Sequence, residues 1–282
     1  MKFVDLHLHT THSDGRWSPR RVVEEAAARG LAAIAITDHD VLSGLPEARA
    51  AADQHQLELL DGVELTADWN GQACHILGYG IDPSNPGLGS ALANGQRQMA
   101  AHVEDVLAEI QAAGHQLARE DLARYNTRYA TGTSVVLGML EHGILRGSHD
   151  ARRLLTLASR EPRAYSAAQA IDLIHNAGGI AVLAHPARLR RGEPLLGADV
   201  IGPLVEVGLD GLEAWQAVQG AAARDHYRAL AEGLGLLATG GSDCHGPRST
   251  GLRIGAQRVP YEVLTRLRRK LVESGWSAGE RA

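Results

Sequence analysis

The sequence predicts an α/β fold in which strands and helices alternate, either as a parallel barrel or as a doubly wound sheet. Short apolar runs of strand length recur along the chain, and helical patterns separate them. A stretch of about seventy residues with helical patterns only interrupts this alternation. The chain has 282 residues, which is long enough for one large domain that carries such an insertion.

The first part of the chain has typical start and stop residues around its elements. Ser18 and Pro19 open a helix that Gly30 ends, and Ser43 caps a second helix. An uninterrupted apolar run over 31–37 is typical of a strand buried on both faces. The Asn-Gly pair at 70–71 predicts a hairpin between two strands. The predicted strands of this part are 3–8, 31–37, 57–65 and 73–80.

A loop over 82–87, rich in Pro and Gly, separates this part from the helical stretch that begins at Leu88. The alternation of strands and helices returns after Tyr165. Ser166 caps a helix that the Gly-Gly pair at 178–179 breaks. The remaining predicted elements are strands at 180–184, 211–215 and 234–239, and a C-terminal helix at 261–274.

Composition excludes several classes of protein. With 28 Lys and Arg against 33 Asp and Glu, the net charge is −5, which argues against a broad basic surface for nucleic acid. Two cysteines exclude a disulfide scaffold. No uncharged apolar run approaches the ~20 residues of a membrane span, and the N-terminus lacks a signal-peptide pattern. We therefore expect a cytoplasmic protein with no membrane contact and no stable protein partner.

Side chains that can bind metals lie at the ends of five predicted strands, and His75 lies on the return strand of the predicted hairpin. His7 and His9 are two residues apart in a strand, so they point to the same face. His, Asp and Glu without Cys-rich spacing favour a catalytic metal site over a structural zinc site. The candidate metal ligands, which are also the candidate catalytic residues, are His7, His9, Asp14, His39, Glu64, His75, His185, Asp243 and His245. Nine candidates are more than one ion needs and indicate two or three ions, as in enzymes that hydrolyse phosphoesters.

The motifs resemble those of the polymerase-and-histidinol-phosphatase (PHP) family of metal-dependent phosphoesterases, and they occur in family order. They are DLHLHT…SDG (5–15), TDHD (37–40), GVE (62–64), HILGY (75–79), AHP (184–186) and GSDCH (241–245). The hairpin over 62–82, followed by helical sequence, is most similar to a small bacterial branch. That branch contains 3′,5′-nucleotide bisphosphate phosphatases and a related 5′→3′ exoribonuclease.

The resemblance implies a distorted (β/α)7 barrel with a helical insertion domain. The barrel would consist of 1–87 and 165–282, and residues 88–164 would form a helical cap over the substrate. It also implies three divalent ions, with manganese expected and zinc or iron as alternatives. His7, His9, Glu64 and Asp243 would hold the first ion, Glu64, His75 and His185 the second, and Asp14, His39 and His245 the third. Asp5 and Asp38 would orient the ligand histidines.

The implied reaction is attack on phosphorus by a hydroxide that bridges two metal ions. The expected substrate is a small nucleotide, a 3′,5′-nucleotide bisphosphate such as adenosine 3′,5′-bisphosphate, which would lose its 3′-phosphate. The alternatives are 5′→3′ exoribonuclease action on short 5′-phosphorylated RNA, hydrolysis of histidinol phosphate, and a metal-binding module without turnover. Amidohydrolase chemistry is disfavoured because the only lysines, Lys2 and Lys270, are not at strand ends.

The expected substrate contacts are arginines, because a guanidinium binds two phosphate oxygens at once. Arg188 follows the AHP motif at a position that lies near the phosphate in the family, and Arg248 follows GSDCH. The resemblance has one clear departure, since relatives carry Arg and His where this chain has Gly132 and Ser134. Arg128 is the expected replacement for the missing Arg. Ser134 is kept as a candidate contact, and the departure bears on substrate identity more than on metal binding.

Overall fold

The computed structural model describes residues 1–123, 130–146, 149–188, 195–216, 220–247 and 253–275, with Arg188 described in its backbone only. The strands are β1 (Phe3–Asp5), β2 (Ala33–Ile36), β3 (Glu58–Trp69), β4 (Gln72–Tyr79), β5 (Tyr165–Ser166), β6 (Ile180–Leu183), β7 (Gly211–Trp215), β8 (Leu237–Gly240) and β9 (Val259–Pro260). The helices are α1 (Pro19–Ala28), α2 (Leu45–His55), α3 (Pro86–Ala112), α4 (Arg119–Leu122), α5 (Gly132–Glu141), α6 (Ala151–Ala158), α7 (Ala167–Asn176), α8 (Ala198–Glu206), α9 (Ala221–Gly233) and α10 (Tyr261–Glu273).

The strands form a nearly closed barrel, which confirms the predicted α/β barrel. Eight described strands follow one another in the order β8-β7-β6-β4-β3-β2-β1-β9, and β5 pairs with β3. The barrel comes close to closing between β8 and the segment after β1, where the Leu6 amide donates to the Gly240 carbonyl at 3.3 Å and Leu8 bridges to Cys244. The parallel order is broken at β4, which runs antiparallel to β3 and β6, and at β9, which runs antiparallel to β1. The barrel therefore departs from a pure repeat of seven strand–helix units.

Local sequence accounts for most of the element boundaries. The Ser18 hydroxyl accepts a hydrogen bond from the Arg21 amide at 3.2 Å and starts α1 as predicted. Asn70 and Gly71 both have positive φ, as the two-residue turn between β3 and β4 requires. β3 extends to Trp69, beyond the predicted end at 65, because it pairs with β4 all the way to that turn. β1 ends at Asp5 rather than at Leu8, and the ladder gives way there to the segment that carries His7 and His9.

The barrel interior is filled by aliphatic side chains. Val4, Leu77 and Val182 come from strands around the ring and are fully buried. Leu267 and Leu271 of α10 pack into the same cluster, so this helix covers the barrel interior at one end. The Tyr79 hydroxyl, also buried, donates to the Leu6 carbonyl at 2.9 Å. This rigid interior fixes the strands whose opposite ends carry the candidate ligands.

Four helices, α3 to α6, lie between β4 and β5 and have a hydrophobic cluster of their own. We call residues 86–158 the α3–α6 segment. Its cluster includes Val103, Val106, Leu122, Met139 and Leu154. The division of the chain at 87/88 and 164/165 stays a prediction, but the segment packs a distinct set of apolar side chains. Among the described helices, none combines the length and apolar character that crossing a membrane requires.

Candidate metal centre

Backbone register places the candidate ligands next to one another. The Asp243 amide donates to the His7 carbonyl at 2.9 Å, and the Ala184 amide donates to the His75 carbonyl at 2.9 Å. The Asp40 amide donates to the Glu64 carbonyl, also at 2.9 Å. Each hydrogen bond joins two neighbouring strands or the segments that follow them; Glu64 and His75 lie within β3 and β4, whereas His7, Asp40, Ala184 and Asp243 follow shorter strands. The candidate ligands therefore converge because neighbouring parts of the barrel carry polar residues at the same edge.

Four buried side chains form the first candidate group: His7, His9, Glu64 and Asp243. His7 Nε2 and His9 Nε2 lie 3.1 Å apart, and each lies 3.1 Å from Glu64 Oε2. Asp243 Oδ1 is 3.1 Å from His9 Nε2 and 3.4 Å from His7 Nε2. Ligand atoms around a tetrahedral ion with bonds of about 2.0–2.2 Å are about 3.3–3.6 Å apart. The observed separations are close to that spacing, so these four atoms fit one divalent ion.

Glu64 also reaches a second group through its other carboxylate oxygen. Glu64 Oε1 lies 3.0 Å from His75 Nδ1 and 3.0 Å from His185 Nε2. His39 Nδ1 lies 3.3 Å from Oε2, and His39, Glu64 and His75 also lie close enough to share an ion. The carboxylate thus has one oxygen towards each of two positions. This is the geometry of a ligand that bridges two ions.

The third group consists of Asp14, His39 and His245, and the structure adds His9 to it. His245 Nε2 lies 3.1 Å from Asp14 Oδ2, and the His9 ring stacks on the His245 ring with centroids 4.1 Å apart. His9 Nδ1 lies 3.8 Å from Asp14 Oδ1. His9 therefore belongs to two groups at once, one for each ring nitrogen.

Two histidine nitrogens at the centre are buried and make no hydrogen bond to any residue that the structure describes. They are His39 Nδ1, which approaches Glu64 without hydrogen-bond geometry, and His185 Nδ1. A buried nitrogen without a partner is costly. For His39, whose unpaired nitrogen faces the shared carboxylate, a metal ion would supply the missing partner. The donor set of imidazoles and carboxylates suits manganese, zinc or iron.

The charges at the centre also favour cations. Burial acts to raise the pKa of Asp243, but His7, His9 and His245 outweigh it and hold that pKa well below its usual range. Burial likewise opposes ionisation of Glu64, whereas His39, His7 and His75 lower its pKa well below normal. The carboxylates are therefore ionised at neutral pH and require positive charge beside them.

The histidines respond to those carboxylates unequally. Burial acts to lower the pKa of His9, but the hydrogen bonds that Asp243 and Glu64 accept from its ring raise the pKa to about 10. Burial dominates at His39 and lowers its pKa to about 3, so this ring is neutral and has a free lone pair. In the metal-free protein, a proton on His9 provides positive charge beside the carboxylates. A metal ion bound there would displace this proton and provide the positive charge itself.

If a metal ion replaces the proton on His9, then the Tm of the metal-free protein and the increase in Tm on metal binding should change in opposite directions as the pH rises. His9 has a folded-state pKa of about 10 against an ordinary 6.5, so its stabilising effect is lost as pH rises between these values. Between about pH 7 and pH 9, we expect the Tm of the metal-free protein to fall and the Tm increase on adding manganese to grow. Thermal unfolding across this range measures both trends. A metal-free Tm that is constant or rises, with the same slope in His9→Gln, would contradict the assignment.

Glu213 supports the centre, and the sequence analysis missed it. Its Oε1 lies 3.1 Å from His7 Nδ1, and its Oε2 accepts a hydrogen bond from the His185 amide at 2.8 Å. The side chain is buried on β7. A carboxylate behind a ligand histidine fixes the ring orientation and its tautomer. The available signal was a single acid among apolar residues in the strand GLEAW.

Replacing Glu213 by Gln is expected to weaken metal binding by about 10–100-fold, because His7 loses the carboxylate that orients it. The amide keeps nearly the same shape, so the fold should persist. Competition with a chelating dye measures the affinity, and circular dichroism checks the fold. Wild-type affinity in a folded variant would show that Glu213 does not support the site.

Asp5 and Asp38 were expected to orient ligand imidazoles, but among the described residues neither carboxylate forms a hydrogen bond with one of these rings. Asp38 Oδ1 accepts hydrogen bonds from the Thr10 amide at 2.7 Å and the Ser13 hydroxyl at 2.6 Å. Asp5 Oδ1 accepts from the Ser242 amide at 2.8 Å and only weakly, at 3.5 Å, from the His7 amide. Both carboxylates hold backbone in the loops that carry Asp14 and Asp243, because those loops leave amides without strand partners.

The centre opens into one cavity of about 300 Å³. Asp14, His75 and His245 line its barrel side. Met99, Thr131, Thr133 and Glu161 line the facing wall, which comes from the α3–α6 segment and the chain just after it. Among the described side chains, no Lys or Arg lines this cavity.

The predicted substrate contacts lie partly outside the described residues. Arg128 and Arg248 are in undescribed segments, and Arg188 is described in its backbone only, in a short 3-10 turn directly after His185. Ser134 is buried, and its hydroxyl accepts a hydrogen bond from the Thr131 amide in the cap of α5. Thr131 and Thr133, rather than Ser134, line the cavity.

Gly132 is a glycine for a packing reason. A Cβ at this position would lie 2.1 Å from the Ala158 carbonyl oxygen and 2.8 Å from Glu161 Cγ. No side chain fits there without moving the backbone of α5 or α6. The position where relatives carry Arg is therefore closed in this chain.

Comparison with known proteins agrees with the geometry. The PHP domain model matches residues 5–185. The chain is 31% identical over 261 residues to a 3′,5′-nucleoside bisphosphate phosphatase of Chromobacterium violaceum, covering 90% of this chain and 91% of the relative. It is 29% identical to a 5′-3′ exoribonuclease of Haemophilus influenzae, covering 87% and 91%.

A solved structure extends the likeness to the whole fold. A protein of Bifidobacterium adolescentis assigned to the metal-dependent phosphoesterases superposes with a TM-score of 0.81, at 27% identity and covering 99% of both chains. The matched family region contains seven of the nine candidate ligands, all except Asp243 and His245. With its barrel, its clustered ligands and these relatives, the chain belongs to the PHP domain family of metal-dependent phosphoesterases.

Proposed function

We propose that this protein hydrolyses the 3′-phosphate of 3′,5′-nucleotide bisphosphates, such as adenosine 3′,5′-bisphosphate, to give the 5′-nucleotide and phosphate. The observation that carries the phosphoesterase chemistry is the shared position of Glu64, whose two oxygens each face a different group of histidines. The substrate class is supported by the Chromobacterium violaceum relative, which is 31% identical over most of both chains.

We propose three divalent ions, one for each group of ligands, with manganese as the expected metal. When bound, such ions activate a water and neutralise phosphoryl oxygens. The chain holds the ligands ready for them. Glu213 keeps the His7 ring in place, and Asp38 holds the loop that carries Asp14. The centre is thus preorganised by hydrogen bonds made before substrate binds.

The cavity dimensions suit a small substrate. A volume of about 300 Å³ lies at the lower end of small-molecule sites and fits part of a nucleotide beside the centre. The wall opposite the ligands comes from a different part of the chain, which limits how far a bound ester extends from the centre. This arrangement favours a mononucleotide over an extended strand.

Phosphate release from a panel of esters tests the proposal. Metal-loaded protein is assayed with adenosine 3′,5′-bisphosphate, 5′-AMP, histidinol phosphate and a 5′-phosphorylated dinucleotide. We expect the bisphosphate to have the highest kcat/KM. A preference of about tenfold or more for histidinol phosphate, or for the dinucleotide, would replace the proposed substrate with that ester.

Two variants separate the chemistry from folding in this assay. His185→Ala removes a ligand whose Nε2 lies 3.0 Å from Glu64, and it should abolish release from every ester. His55→Ala changes an exposed histidine at the end of α2 and should leave release unchanged. Unchanged release by His185→Ala would contradict the placement of the centre.

A further inference from the structure

Glu161 is an acid on the cavity wall that faces the metal centre. It lines the same cavity as Asp14 and His75, yet it lies outside all three ligand groups. It follows α6, and its charge interacts with His75 of β4, His102 of α3 and Asp14. A substrate held at the centre would therefore lie between the ligands and this carboxyl group.

The carboxyl group is held in position by α5. Glu161 Oε1 accepts a hydrogen bond from the Thr133 amide at 2.8 Å, at the first turn of that helix. The missing side chain at Gly132 makes room, because a Cβ there would lie 2.8 Å from both Glu161 Cγ and Oε1. Gly132, which departs from the family pattern, therefore leaves space for the Glu161 side chain in the cavity wall.

No positive side chain neutralises Glu161 among the residues that the structure describes. Neither Lys nor Arg forms an ion pair with it there, since the nearby Arg163 pairs with Asp68 instead, and Oε2 makes no hydrogen bond to the described part of the chain. Burial raises the pKa of the carboxyl group, against the opposing effects of the Thr133 amide, His75 and His102. One oxygen is therefore anchored, while the other is available to carry a proton.

The geometry of phosphoryl transfer gives this acid a task. In an in-line displacement, the leaving oxygen departs on the side of phosphorus opposite to the attacking water. The ligand groups occupy the barrel side, so an ester held against them directs its leaving oxygen towards the facing wall. An alcohol oxygen leaves slowly as an alkoxide and needs a proton as the bond breaks.

We propose that Glu161 is the catalytic acid that protonates the leaving oxygen of the substrate. As water attacks phosphorus and loses a proton to solvent, the P–O ester bond breaks and its electron pair goes to the ester oxygen, which takes the proton of the Glu161 carboxyl group. The products are phosphate and an alcohol. Glu161 is left as a carboxylate and regains its proton from solvent. This role rests on the proposed phosphoester hydrolysis and adds to it the group that acts on the leaving side.

The role of Glu161 as an acid can be tested by comparing kcat/KM for two esters whose leaving groups differ. Glu161→Gln keeps an acceptor for the Thr133 amide but has no proton to give. We expect kcat/KM for adenosine 3′,5′-bisphosphate to fall by about 100-fold or more. For p-nitrophenyl phosphate, whose leaving group is stable as an anion, we expect a fall of less than about threefold. Glu206→Gln, an exposed acid at the end of α8, should change neither value.

Two further measurements exclude a merely structural effect. Metal content by elemental analysis and the Kd for 5′-AMP by calorimetry should match the wild type in Glu161→Gln. Equal losses on both esters would overturn the role of Glu161 while leaving the phosphoesterase function intact. A wild-type protein that releases phosphate from neither ester would overturn the proposed function, and this inference with it.

Discussion

Replacing Glu64 by Gln is expected to abolish phosphate release and to lower the metal content of the purified protein. Glu64 is buried, and its two oxygens contact His7, His9 and His39 on one side and His75 and His185 on the other. The carboxylate is thus shared between two groups of histidines. An amide offers one weakly basic oxygen and a nitrogen that cannot bind a metal, so both sides lose affinity.

We expect at least about a thousandfold loss of activity in Glu64→Gln, since the change removes a carboxylate whose two oxygens face two of the proposed ion positions. Elemental analysis and phosphate release measure the two effects. Glu273→Gln, an exposed acid at the end of α10, is the matched control and should change neither. A Glu64→Gln protein with full metal content and more than about a tenth of the activity would contradict the bridge.

Gly241→Ala should damage both stability and metal binding. A Cβ at Gly241 would lie 2.4 Å from the Cβ and the backbone nitrogen of His7. Neither atom can move without shifting a ligand, and Asp243 lies two residues further along the same loop. We expect a loss of about 1–3 kcal/mol in the free energy of unfolding, as for overpacked cores, together with weaker metal binding.

Urea unfolding and dye competition measure these two effects of Gly241→Ala. Gly202→Ala provides the control because it lies inside α8 with no atom within 4 Å of the added Cβ. That variant should be neutral or slightly more stable, since Ala favours helices over Gly. A Gly241→Ala protein with wild-type stability and metal affinity would show that the contact with His7 is not needed.

The clustering of most candidate ligands could be predicted because strand periodicity and the polar residues near strand ends are visible in a sequence. His7 and His9 are two residues apart, which places them on one face, and both ring nitrogens meet at Glu64 Oε2. Glu64 and Asp243 are distant in sequence but lie at the same edge of the barrel. The resemblance supplied the grouping of ligands, and the structure brings the members of the first and third groups together. In the second group, His75 and His185 each lie 3.0 Å from Glu64 Oε1, but His39 rather than His185 completes the compact set with Glu64 and His75.

Ring orientation and long-range packing could not be predicted. His9 belongs to two groups because its two nitrogens face different neighbours, which depends on how the ring stacks on His245. Glu213 was missed because one acid in an apolar strand has no periodic signal. The place of Glu161 on the cavity wall could not be predicted because it depends on packing against α5, far from the strand pattern. Asp5 and Asp38 looked like partners of histidines, but they bind loop amides instead.

Only part of the arrangement of the antiparallel strand β4 could be predicted from the sequence. The Asn-Gly turn predicted a hairpin, and His75 was expected on its return strand. The pairing of β4 with β6, which sets His75 beside His185, depends on a contact across the whole α3–α6 segment. Sequence periodicity cannot predict such a contact, because neither the pattern nor the length of the intervening segment determines which strands pair.

Anomalous scattering from crystals grown with manganese would test the central claim most directly, namely that these imidazoles and carboxylates hold several ions. We predict strong manganese peaks among the candidate ligands, with one beside His7, His9 and Asp243 and another beside His75, and with Glu64 between them. Crystals of a folded, manganese-saturated protein without any peak at these side chains would contradict the account.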